Sequence, residues 1–139
     1  MARSFVVVTG HHSAEAPADC FVPCADTRVW LMGVERLPEI VAGLLESGRT
    51  PDTPAAVVAC GTTPQQQAVL GCLADIVEKA AGIQPPAITI VGETARLRER
   101  LAWFDRAETR PLLGLRVLNT RPRDAGGPDE LSEALLSSY

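Results

Sequence analysis

The sequence has no long apolar run and no excess of positive charge. Every apolar run is far shorter than the roughly 20 residues that a membrane-spanning helix needs. The first residues, MARSFVVV, are too short for a secretory signal peptide. The net charge of −4 argues against nucleic acid, which binds surfaces rich in Lys and Arg. We therefore predict a cytoplasmic protein with neither a nucleic acid nor a membrane as its partner.

The sequence also lacks several motifs that would indicate a catalytic site. The sequence contains no G-x-G-x-x-G fingerprint, no phosphate-binding P-loop and no recognisable Ser/His/Asp set. His11 and His12 are the only histidines, so a histidine base would have to be one of them. Exposed loop positions are the more common setting for such residues. No catalytic residue is predicted.

The four cysteines do not have the arrangement of a zinc site. Cys20 and Cys24 lie four residues apart and near the two histidines, but a structural zinc site needs two close pairs of ligands. Cys60 and Cys72 lie within apolar runs and have the character of small core residues. We predict free thiols in a reducing compartment and no metal.

Length and periodicity predict an α/β domain. The chain has 139 residues, 46% of them hydrophobic and 22% charged, which suits a globular protein with a real core. Apolar runs that end at turn residues predict buried strands, and residues spaced three and four apart predict amphipathic helices. Because strands and helices alternate, we expect a largely parallel sheet. The strands are expected at 4–10, 27–33, 54–60 and 86–92, and the helices at 37–45, about 68–80 and 93–104; residues 11–26 are expected to form a loop. The run 68–70 could instead be a short extra strand, although it more readily opens the second helix.

The C-terminal part of the sequence differs in character. We divide the chain into a main lobe at 1–105, a polar, proline-bearing linker at 106–114 and a partial segment at 115–139. In the last segment, Arg121 and Arg123 could bind an anion such as a carboxylate or a phosphate. The alternative is that they lie in a basic turn exposed to solvent.

Among the ends of the predicted strands, glycine occurs in VTGHH, WLMGV and ACGTT. In an open α/β sheet, ligands bind beyond the carboxyl ends of the strands. A glycine there allows either a turn with positive φ or the close approach of a ligand to the backbone. One such glycine is explained by the turn alone, but three at one edge favour a binding site.

Individual side chains near these glycines have competing interpretations. Thr63, Pro64 and Gln66 match a capping box that would start the second helix. This box does not account for Thr62, which could face a ligand. Met32 could fill the core, or its thioether could pack against an adenine ring.

Longer stretches resemble a known family. VVTGHH, ADTRVWLMGVERLPEIVAGLLESGRTPDTPAAVVACGTTPQQQAVLGCLADI and PPAITIVGETARLRERLAWF closely resemble the C-terminal half of the uroporphyrinogen-III C-methyltransferases, which are tetrapyrrole methylases. The resemblance runs from about residue 4 to residue 104. GLRVLNTRPR resembles the opening strand of uroporphyrinogen-III synthase, which in some organisms is fused behind the methyltransferase.

The resemblance implies a fold, an activity and a cofactor. The family transfers two methyl groups from S-adenosyl-L-methionine to uroporphyrinogen III, giving precorrin-2 for sirohaem and cobalamin. Its members are homodimers of two-lobed subunits, and the lobe matched here would be an α/β lobe with a mostly parallel sheet flanked by helices. By resemblance, Met32 and Gly61 match cofactor-contacting positions, and Thr62 is an extension of that assignment.

The sequence also departs from the family. The N-terminal lobe, which carries other cofactor contacts and the residues for proton transfer, is not in this sequence. DCFVPCADT carries Pro23 where the family has a helical segment, and Cys72 replaces a threonine. We therefore expect half of a cofactor site and no methyltransferase activity from this chain alone. The alternatives are a non-catalytic lobe for dimerisation or partner docking, and a stand-alone small-molecule binding protein.

Overall fold

The computed structural model describes residues 2–10, 25–102, 104 and 114–115. Within them the strands are β1 (Phe5–Thr9), β2 (Thr27–Leu31), β3 (Pro54–Ala59), β4 (Gln67–Cys72) and β5 (Ala87–Val91). The α-helices are α1 (Leu37–Glu46), α2 (Ile76–Lys79) and α3 (Arg98–Leu101). Turns of 3₁₀-helix precede α1 at Val34–Arg36 and α3 at Glu93–Leu97.

The strands form one mixed sheet in the order β1-β2-β5-β3-β4. β1 and β2 are parallel, whereas β5 runs antiparallel to both β2 and β3, and β4 runs antiparallel to β3. The α/β class predicted from the sequence is confirmed, but the expectation of a mostly parallel sheet was wrong. The periodicity located the strands but not their directions, and β5 enters between β2 and β3 in the opposite sense.

The strand β4 replaces the expected start of the second helix. Its six residues pair with all six residues of β3, from Gln67 opposite Ala59 to Cys72 opposite Pro54. A connection as short as 60–66 can join only antiparallel neighbours, so the two strands form a hairpin. The expected capping box is therefore wrong, because Thr63 and Gln66 lie in the hairpin loop and not at a helix N-terminus.

The core lies between one face of the sheet and the helices α1 and α2. The apolar periodicity of α1 is confirmed for Leu37, Ile40, Val41 and Leu44, which are buried, whereas Leu45 is exposed. The helix ends before Gly48, whose φ of 91° is the left-handed conformation that stops helices. The same core contains residues of the sheet and of α2: Trp30, Ala55, Val57, Ala59, Ala87, Val91, Ile76 and Ala80.

The other face of the sheet is more exposed, most clearly at β1. The sequence predicted β1 to be buried, but Phe5 is 76% exposed and Val7 is 49% exposed. The prediction was wrong because β1 is an edge strand, and alternation sends Phe5 and Val7 to the face opposite the core. Leu31 on β2 is exposed on the same face. We call Phe5, Val7 and Leu31 the open apolar face.

Contacts divide the chain into two units, Met1–Leu101 and Ala102–Tyr139. The predicted boundaries at 105 and 114 stay a prediction, since residues 105–113 lie outside the described part. Arg121, Arg123, both histidines, Cys20 and Cys24 also lie outside it. No helix in the described part of the chain is both long enough and apolar enough to cross a bilayer.

Candidate functional site

The glycines predicted to share one edge of the sheet do so. β1 and β2 are parallel, and β3 runs in the same direction as β2 because β5 is antiparallel to both. The ends of these three strands therefore meet at one side of the sheet, where Gly10, Gly33 and Gly61 follow them. We call this side the carboxyl edge; it also contains the loop 60–66 and the start of β5.

Backbone strain is concentrated at the carboxyl edge. Among the described residues, the non-glycine residues with positive φ are Met32 (56°), Cys60 (48°) and Thr62 (64°). Met32 directly follows β2, Cys60 directly follows β3, and Thr62 lies two residues after Cys60. Such conformations cost on the order of 1–3 kcal/mol and persist where the surroundings hold them, most often at functional sites.

At the end of β2, backbone segments pack against each other without space for a side chain. The Gly10 N–H donates a hydrogen bond to the Leu31 carbonyl at 2.6 Å. A Cβ on Gly10 would lie 2.6 Å from the Cα of Gly33, and a Cβ on Gly33 would lie 2.9 Å from the Cβ of Trp30. Packing alone therefore requires these two glycines. The Met32 side chain is 59% exposed at this point, which excludes its interpretation as core filling.

The loop 60–66 at the end of β3 is closed by its own hydrogen bonds. The Cys60 N–H donates to the Pro86 carbonyl at 3.0 Å, which ties the loop to the start of β5. The Thr63 Oγ1 donates to the Cys60 carbonyl at 2.7 Å and accepts the Gln65 N–H at 3.3 Å. The Gln66 Oε1 accepts the Thr62 N–H at 2.8 Å. These bonds hold the loop in one shape.

Gly61 differs from the other glycines of the carboxyl edge. A Cβ on Gly61 would meet its nearest neighbours, Val58 Cγ1 and Gln66 Oε1, at the ordinary distances of 3.7 and 3.9 Å. The fold therefore does not require glycine at this position. The residue is exposed, and its N–H forms no hydrogen bond with any residue that the structure describes. Gly61 thus has bare backbone at the surface and an N–H that is unpaired among the described residues.

Thr62 has less to offer a ligand than the sequence suggested. Its hydroxyl donates to the Gly61 carbonyl at 2.6 Å, and its N–H is bound by Gln66. Both donors are used inside the loop, so the residue shapes the loop. Sequence reasoning missed Gln66 itself because it assigned that residue to a helix cap; two strands joined by a short glycine-bearing segment are the hairpin signal that would have located it.

The groups with shifted pKa values lie at the opposite edge of the sheet. A hydrogen bond from the Arg3 N–H lowers the pKa of Asp26, and the Lys79 ammonium lowers the pKa of Asp75. Asp26 precedes β2, and Asp75 follows β4. In the described part of the chain no three His, Cys, Asp or Glu side chains form a group that could hold a metal. The carboxyl edge instead offers backbone groups and the exposed Met32.

The chain matches known proteins by sequence and by structure, although not through a family model. No protein-family model matches the chain. A siroheme synthase of Neisseria meningitidis (serogroup C, strain 053442) is 42% identical over 106 residues, covering 74% of this chain and 22% of the relative. One of Pseudomonas entomophila is 42% identical over 112 residues, covering 77% and 24%.

Solved structures give the same result. A uroporphyrin-III C-methyltransferase from Thermus thermophilus superimposes with a TM-score of 0.61 at 37% identity, covering 72% of this chain and 43% of that one. A structure of that enzyme complexed with S-adenosylhomocysteine gives a TM-score of 0.58 at 31% identity, covering 69% and 44%.

The matches show which class of protein the chain is similar to, and then which enzyme within that class. In sequence and in fold it corresponds to part of a tetrapyrrole methylase. The resemblance predicted from the sequence, to uroporphyrinogen-III C-methyltransferases, is confirmed by the Thermus structures. The chain spans about a quarter of the curated relatives it matches and less than half of the matched structures.

Proposed function

We propose that the chain is part of an S-adenosyl-L-methionine-dependent uroporphyrinogen-III C-methyltransferase and contributes one half of its cofactor site. The observation that carries this proposal is the carboxyl edge, where an exposed Met32 and the free N–H of Gly61 are held by strained backbone. The resemblance assigns cofactor contacts to these same two residues. A matched Thermus enzyme forms a complex with S-adenosylhomocysteine, which supports the choice of ligand.

The residues at the carboxyl edge suit an adenosyl group. A purine ring needs apolar surface on its face and hydrogen-bonding groups at its rim. Met32 supplies a soft apolar side chain, and Gly61 supplies a donor on backbone that a ligand can approach closely. β5 lies between β2 and β3, so the ends of β2 and β3, which carry Met32 and Gly61, are about 10 Å apart. Thr62 belongs to this site as the residue that shapes the loop.

Within this proposal the chain binds and orients the cofactor, and it carries out no proton transfer. S-adenosyl-L-methionine, when bound, supplies the electrophilic methyl group. The described residues of the carboxyl edge fix the nucleoside end of the molecule. This chain and an N-terminal lobe would then bind the tetrapyrrole jointly. The resemblance implies that the complete subunits form a homodimer. Precorrin-2 formation for sirohaem or cobalamin is the corresponding reaction.

The open apolar face favours a second candidate function. Phe5, Val7 and Leu31 expose apolar surface on one side of the sheet, which is the character of a protein interface. A lobe kept for dimerisation or for docking another protein would need such a surface and would not need the carboxyl edge. Binding at the carboxyl edge therefore distinguishes the two functions.

The test is a titration of the ¹⁵N-labelled 139-residue chain with S-adenosylhomocysteine, followed by NMR. We expect binding on the order of millimolar, because only half of the site is present. Amide shifts should change at Met32 and Gly61 and not at Gly92 on the opposite edge. Uridine, a nucleoside without the purine, serves as the ligand control.

A variant pair makes the test specific. Gly61→Val should abolish the shifts at Met32. A Cβ has ordinary space at this position, so the variant should fold, which a dispersed amide spectrum with an unshifted Gly92 checks. Gly82→Val is the matched control, since a Cβ on Gly82 meets nothing within 4 Å. A wild-type chain whose carboxyl edge does not respond, or responds equally to uridine, contradicts the proposed cofactor site. Intact binding in Gly61→Val contradicts the role of Gly61.

A further inference from the structure

We propose that Gln66 is a positioning residue that sets the loop 60–66 so that the Gly61 N–H is presented to the ligand. This inference rests on the proposed function, and it adds to the site a residue for which the sequence predicted only a role in capping a helix. The observation behind it is the 2.8 Å hydrogen bond from the Thr62 N–H to the Gln66 Oε1.

Hydrogen bonds occupy most of the N–H groups in the loop 60–66. The N–H groups of Cys60, Thr63 and Gln66 bind backbone carbonyls. Two further N–H groups of the loop bind side chains, that of Gln65 the Thr63 hydroxyl and that of Thr62 the Gln66 Oε1. Pro64 has no N–H. Gly61 is then the donor of this loop with no hydrogen bond to any described residue.

The backbone of Thr62 is strained. Thr62 has a φ of 64°, a conformation that a β-branched residue adopts only when other contacts impose it. The exposed Thr62 N–H would otherwise bind water in many backbone conformations. The Gln66 side chain reaches back four residues and accepts this N–H in the conformation that the structure shows. We infer that Gln66 selects the left-handed state of Thr62.

The conformation of Thr62 affects where the Gly61 N–H lies. Rotation about the Thr62 N–Cα bond reorients the peptide group that contains the Gly61 carbonyl and the Thr62 N–H. The Gly61 N–H lies in the preceding peptide group, and the Gly61 Cα joins the two groups, so relaxation of Thr62 shifts this N–H through the backbone of Gly61. The ligand atom opposite this N–H must be a hydrogen-bond acceptor, such as a ring nitrogen or a hydroxyl oxygen of a nucleoside. Loss of Gln66 therefore weakens binding without removing any atom that touches the ligand.

The experiment compares variants of the whole chain by amide hydrogen exchange and by the S-adenosylhomocysteine titration. Gln66→Leu removes the acceptor, and Gln66→Asn is polar but too short to reach. Each should accelerate Thr62 amide exchange about tenfold and weaken the Gly61 response about tenfold. Gln66→Glu keeps an acceptor and should retain both. Gln65→Leu is the matched control, because the Gln65 side chain is exposed and its backbone bond remains.

The outcomes separate this inference from the proposed function. Unchanged Thr62 exchange in both Gln66→Leu and Gln66→Asn overturns the positioning role, and so does unchanged affinity in a variant whose exchange has increased. If the wild-type Gly61 and Met32 amides do not respond to the ligand, the proposed function fails, and the ligand step of this inference fails with it. In that case the exchange data alone still report whether Gln66 holds Thr62.

Discussion

At the scale of single residues, the three glycines of the carboxyl edge have different reasons to be glycine. Gly10 and Gly33 pack so closely that a side chain would collide with neighbouring atoms. Gly61 has ordinary space around its Cα. A sequence shows the same letter in each case. Only the packing distinguishes a glycine that the fold needs from one that leaves backbone open to a ligand.

This distinction gives a prediction on stability. Gly10→Ala should lower the free energy of unfolding by about 1–3 kcal/mol, because its Cβ would lie 2.6 Å from the Gly33 Cα and 2.8 Å from the Met32 carbonyl oxygen. Gly61→Ala should change it by less than about 0.5 kcal/mol. Urea unfolding followed by circular dichroism measures both. Equal losses in the two variants would contradict the assignment.

At the scale of elements, α1 is the helix whose face the sequence predicted most completely. Residues spaced three and four apart formed the buried stripe as expected, and Gly48 ended the helix. Leu45 was expected in this stripe but lies outside the buried set, because its position falls on the margin of the arc that faces the sheet. Adjacent leucines thus lie in different environments on one helix.

These adjacent leucines provide a matched test of the packing. Leu44 is fully buried in the core, so Leu44→Ala should cost about 2–5 kcal/mol of unfolding free energy. Leu45→Ala should cost less than about 1 kcal/mol, because the side chain already contacts solvent. The two substitutions remove the same atoms and have the same effect on helix propensity. Similar losses would show that α1 packs on the sheet differently.

At the scale of the whole molecule, the sequence predicted the side of the sheet that carries the candidate site better than it predicted the sheet. Strand-end glycines were expected to meet at one edge, and they do, because β1, β2 and β3 share one direction. Apolar periodicity carries no information about which strand pairs with which, so it gave the direction of neither β4 nor β5; for β4 the short, glycine-bearing connection was the signal that was missed. Gln66 was misassigned for the same reason, because its role depends on the hairpin.

The opposite edge of the sheet gives the molecule a dependence on pH. The Asp26 carboxylate accepts the Arg3 N–H at 2.7 Å and so fastens the chain ahead of β1 to the start of β2. The Asp75 carboxylate accepts the Cys72 N–H at 2.8 Å and pairs with Lys79 at 2.7 Å, which joins β4 to α2. These contacts favour the ionised forms, so the pKa of each aspartate is lowered below 3.8.

The sign of the effect follows from linkage. A carboxyl group whose pKa is lower in the folded state stabilises that state above the unfolded pKa of 3.8, and this stabilisation is lost as the pH falls through the folded value. Urea unfolding at pH 7 and at pH 3 should therefore show a loss of stability in acid. Asp75→Asn keeps an oxygen for the Cys72 N–H but carries no charge, so its stability should fall less between the two pH values. Asp52→Asn, at an exposed aspartate on the same edge, is the control. A wild-type acid loss that Asp75→Asn and Asp26→Asn both leave unchanged would mean that neither carboxylate fastens this edge.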